Sequence, residues 1–121
     1  LRITSFLQKK KLNFLKNLNT FSEATQKEKI KEIWDVKGIL KKHSNQEFKF
    51  DLRPLSNVKN DLFGKKGFIN TKSDKMVFET DTQWIIIDTK ELHEYIKKNK
   101  IEIVYLDNIL NEFYWNIIIN K

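Results

Sequence analysis

Two apolar runs with a short polar break between them dominate the hydrophobic pattern: residues 76–79 (MVFE) and 83–87 (QWIII), separated around Asp81 and Thr82. Runs of this length, rich in β-branched and aromatic residues and bounded by turn formers, predict a β-hairpin. The pattern then changes period. Leu92, Tyr95 and Ile96 fall on one side of a helix over residues 90–98, with Asn99 placed to cap its C-terminus.

Upstream, residues 47–52 (EFKFDL) alternate, with Phe48, Phe50 and Leu52 on one face and Lys49 and Asp51 on the other, which predicts a half-buried strand ended by Pro54. Leu7, Phe14, Leu18 and Phe21 form a stripe that predicts a helix over residues 4–19. A second helix is expected to follow. It begins at one of two capping boxes, Thr20–Glu23 or Thr25–Glu28, and carries Ile30, Ile33, Trp34, Val36 and Leu40 on its apolar side. Gly38 lies inside this helix or ends it. Beyond the hairpin helix, residues 101–105 read as a strand, Leu106 to Phe113 as a short helix opened by Asp107, and residues 114–119 as a closing apolar strand. The three tryptophans, Trp34, Trp84 and Trp115, fall within apolar patterns and are expected in the core.

This order predicts an α+β domain: a mixed sheet of about five strands with N-terminal helices packed on it. The unit over residues 83–105 is expected to be a right-handed parallel crossover. The 121 residues suit one domain, divided into a basic N-terminal helix (1–21) and an α/β core (22–121).

Charge sharpens the reading more than composition does. Net charge is +7, and it is uneven: residues 1–60 hold 14 Lys/Arg against 6 Asp/Glu (+8), residues 61–121 hold 9 against 10 (−1). A basic half is the footprint of a polyanionic partner, because lysine contacts to phosphates release counterions. Lys9, Lys10 and Lys11 on the first helix are candidate contacts for DNA or RNA. So are Lys65 and Lys66 in the LFGKKGFI stretch at 62–69, with Phe63 and Phe68 available to stack on bases. A lysine-rich solvated surface would give the same count. With no cysteine, disulfides and thiolate metal sites are excluded, and a cytoplasmic or otherwise intracellular setting is expected. No apolar run approaches about 18 residues, so no membrane span is expected. His43 and His93 alone do not make a zinc site.

Asp74, Asp88 and Lys90 stand at the corners of the hairpin. Ser73–Asp74 opening one strand, and Asp88–Thr89–Lys90 ending the next before a helix, resemble the core of PD-(D/E)xK nucleases over roughly residues 23–105, with Ser73 where that signature has proline. The resemblance implies an αβββαβ-like core. It also implies Mg²⁺ held by Asp74 and Asp88 and a catalytic role for Lys90 beside the attacking water, with Glu28 or Glu32 as a further acid. The same residues admit another reading. Asp88–Thr89–Lys90–Glu91 has capping-box spacing, in which Asp88 accepts a backbone N–H, Glu91 reaches back and Lys90 is a solvated first-turn lysine.

Two functions therefore compete. One is a nucleic-acid-binding protein with Mg²⁺-dependent nuclease activity. The other is a non-catalytic module that binds nucleic acid or protein through its basic surface and an exposed sheet edge, with a homo-oligomer formed through the C-terminal strand.

Overall fold

The computed structural model describes residues 13–42, 45–54, 61–63, 71–100, 103–105 and 110–121. It is an α+β fold around a mixed six-stranded sheet whose strands lie side by side in the order 18–23, 36–40, 47–54, 75–79, 83–88 and 116–120. The strands are β1 (Leu18–Glu23), β2 (Val36–Leu40), β3 (Glu47–Pro54), β5 (Lys75–Glu79), β6 (Gln83–Asp88) and β8 (Asn116–Asn120). Neighbours are antiparallel except β3 and β5, which run parallel. Two short strands, β4 (Asp61–Phe63) and β7 (Ile103–Tyr105), pair separately. The helices are α1 (Gln26–Lys31) and α2 (Thr89–Asn99).

The hairpin forms where its two apolar runs place it. Thr80 closes the turn, its N–H donating to the Gln83 carbonyl at 2.9 Å. Both strands are buried on both faces, which is why they read as continuous apolar runs. Met76, Phe78, Ile85 and Ile87 pack under Leu92, Ile96 and Phe113 on one side. Val77, Trp84 and Ile86 join Phe14, Leu15, Leu18, Phe48 and Phe50 on the other. The core thus has three layers at the centre of the sheet. Trp34 and Trp84 are buried, while Trp115 is half-buried at its rim.

Several expectations are corrected. Residues 13–15 are helical, but the chain is already extended at Leu18. Leu18–Glu23 is one of the two edge strands, exposed at every position after Leu18, so it carries no alternation to betray it. The second helix is real but short. Thr25, not Thr20, opens it, with a full capping box: Glu28 N–H donates to Thr25 Oγ1 at 3.2 Å and Thr25 N–H to Glu28 Oε1 at 2.9 Å. Helix α1 buries none of its residues, and Ile30 is 68% exposed.

The chain leaves the helix at Ile33, whose φ of 56° is rare for a β-branched residue, and enters β2. Val36, Gly38 and Leu40 then alternate inward at period two. Gly38 is required there, because a Cβ would stand 2.4 Å from the Thr20 carbonyl oxygen of β1. The expected crossover at 83–105 is absent from the main sheet, since β7 pairs with β4; the parallel pair is β3–β5 instead. No helix among the described residues is long and apolar enough to cross a membrane.

Candidate functional site

The corner where β5 begins and β6 ends holds most of the chemistry. Asp88 is the N-cap of α2: its Oδ2 accepts the Glu91 N–H at 3.0 Å. Its Oδ1 accepts from Lys75 Nζ at 2.8 Å. Lys75 and Asp88 face each other in the hairpin register. The Lys75 side chain is only 7% exposed, and its ammonium lies 3.6 Å from the ring centre of Trp115 and 4.7 Å from that of Phe48. A desolvated ammonium is tolerated here because a carboxylate and two ring faces take the place of water.

Glu91 does not reach back to Asp88. Its two oxygens accept the Tyr114 and Trp115 N–H groups, each at 3.0 Å. That carboxylate fixes the lead into β8 and so holds the Trp115 indole over Lys75.

Asp74 sits beside this pair. Its Oδ2 accepts the Lys49 N–H at 2.8 Å, and its carbonyl accepts the Thr89 N–H at 3.2 Å. Ser73 is buried, with Oγ 3.1 Å from Thr89 Oγ1 and 2.9 Å from Thr71 Oγ1. The hairpin therefore does bring Asp74 and Asp88 to one end of the sheet. Lys90 is exposed on the first turn of α2. Both oxygens of Asp88 and one of Asp74 face N–H donors, an arrangement suited to an ammonium and to backbone amides. Among the described residues no group of three or more His, Asp or Glu could hold a metal ion. Glu32 pairs with Lys49 at 3.6 Å, the residue whose N–H Asp74 accepts, and Glu28 serves the α1 cap.

Lys75 was the residue the pattern did not single out. The hairpin register could have found it: once Thr80 and Gln83 close the turn, Lys75 must face Asp88.

The basic surface is the second candidate. Within the described residues Lys16, Lys27, Lys29, Lys31, Lys37, Lys41 and Lys42 make no ion pair, in contrast to Lys49, Lys75 and Lys121. Lys27, Lys29 and Lys31 lie on α1, Lys37 on β2, Lys41 and Lys42 in the turn after β2, and Lys16 in the turn before β1. Lys9, Lys10, Lys11, Lys65 and Lys66 lie outside the described residues, as does His43. A cleft of about 330 Å³ opens beside Lys16, lined also by Asn13, Asn17, Trp84, Asn120 and Lys121. Lys121 crosses it, 2.6 Å from Glu79 and 4.8 Å from the centre of the Trp84 ring.

No family model, curated protein or solved structure matches the chain.

Proposed function

We propose that this protein binds nucleic acid through the lysine-rich surface formed by α1, β2 and nearby turns, in an intracellular setting. The observation that carries the reading is the set of seven lysines between Lys16 and Lys42 that make no salt bridge among the described residues. Lysines outside salt bridges are available to contact the phosphates of an external polyanion. The cleft beside Lys16 adds amide donors and an indole edge, groups that suit a nucleotide.

The test is fluorescence anisotropy with labelled single-stranded and duplex DNA and RNA, with and without Mg²⁺. Binding that weakens when Lys27, Lys31, Lys41 and Lys42 are changed to Gln supports the proposal. Unchanged binding in that variant contradicts it. The same samples report on cleavage. Strand scission that requires Mg²⁺ and disappears in Asp74→Asn would instead favour the nuclease reading of Asp74, Asp88 and Lys90.

A further inference from the structure

We infer that β8 is a self-association edge: it pairs antiparallel with β8 of a second copy of this chain, across a twofold axis through Ile118. Three observations converge on this occupant. First, among the described residues nothing lies beyond β8, which ends the strand order. Second, its free side presents main-chain groups in a symmetric set. The Lys121 N–H donates to Thr82 on the β6 side. By strand alternation Ile119 and Ile117 also point to β6, so Asn116, Ile118 and Asn120 direct their N–H and C=O groups outward.

Third, the sequence of β8, Asn116–Ile117–Ile118–Ile119–Asn120, reads the same in both directions. Centred on Ile118, an antiparallel pair sets Ile118 against Ile118, Ile117 against Ile119 and Asn116 against Asn120. Every facing pair is like with like, and the two Ile118 residues exchange both main-chain bonds.

No charge interrupts the strand, and Ile118 is 43% exposed beside Ile85. The other edge of the sheet is guarded differently. Strand β1 carries an irregularity between Leu18 and Phe21, and ends in Glu23. Bulges and edge charges are how sheets avoid unwanted pairing, and β8 has neither. An isologous contact of this kind closes at two copies.

The chain has no cysteine, so a single one reports on register. In Ile118→Cys the two Cα atoms of the facing pair would lie about 5.5 Å apart, within disulfide range. In Tyr114→Cys the two sites would lie roughly 27 Å apart along the strands. Under mild oxidation Ile118→Cys is expected to form a covalent dimer about tenfold or more faster than Tyr114→Cys, because pairing raises the local thiol concentration. Sedimentation equilibrium is expected to show a dimer for the unmodified chain and a monomer for Ile118→Lys, with the circular dichroism spectrum unchanged. Equal crosslinking of the two cysteine variants, or a monomeric unmodified chain at every concentration, would overturn the inference. If Ile118→Lys does not fold, the crosslinking comparison decides alone.

Discussion

Lys75 and Asp88 form a pair whose members cannot be removed independently. With 7% of one side chain and 23% of the other exposed, water does little to replace a lost partner. Asp88→Ala strips Lys75 of its counter-charge and α2 of its N-cap together, and is expected to destabilise the fold by about 3–5 kcal/mol. Lys75→Met leaves an apolar side chain between Phe48 and Trp115, and is expected to cost less. Urea unfolding of the two single variants and the double variant measures the coupling; strictly additive effects would contradict the pairing.

Glu28 offers a test by pH. Its bonds with the Thr25 backbone N–H, and then with the Thr25 hydroxyl, hold its carboxyl below the usual range. The folded state favours the carboxylate, so the contribution is present above the unfolded value of about 4.3 and is lost as pH falls through the lower folded value. An NMR titration of the Glu28 carboxyl is expected to give a midpoint below that of an unfolded glutamate, shifting upward in Thr25→Ala. A midpoint that ignores Thr25 would contradict the capping box.

Among the elements, the hairpin and α2 were legible because two local signals agreed for each. Apolar runs flanked the Asp81–Thr82 break, and Leu92, Tyr95 and Ile96 followed a candidate cap. The stretch from Ile33 to Leu40 was not, because Val36 and Leu40 fit a helical stripe and an alternating strand equally well. Gly38 was the discriminating residue. In a helix it would be only a weak point, whereas in β2 it admits the Thr20 carbonyl of a neighbouring strand that sequence periodicity does not reveal. Gly38→Ala must move β1 away, and is expected to cost about 1–3 kcal/mol in thermal or urea unfolding. A neutral result would mean that the β1–β2 contact is looser than described. At the candidate site Asp88 was legible as a cap from its spacing to Glu91. Lys75 is not legible because the apolar run begins at Met76, whereas the strand begins one residue earlier. The role of Glu91 depends on Tyr114 and Trp115, more than twenty residues away, and no local pattern encodes such a contact.

For the molecule as a whole, the sheet separates two surfaces. The lysines of α1 and β2 lie toward the β1 end of the strand order and β8 closes the other end, with the buried hairpin between them. The lysines of α1 and β2 take no part in the β8 pairing, whereas Asn120 of β8 also lines the cleft beside Lys16, so the two proposals share that one residue. A dimer through β8 would leave both basic edges at its outer ends, free to engage one polyanion at two points and gain in avidity.

The charge argument is tested most directly by the salt dependence of oligonucleotide binding. For single strands the slope of log K against log salt is about −0.7 per phosphate contact. With Lys27, Lys31, Lys41 and Lys42 all changed to Gln, the slope is expected to become shallower by up to about 3, the product of four contacts and that coefficient. An unchanged slope, or binding insensitive to salt in the unmodified chain, would contradict a phosphate-reading lysine edge.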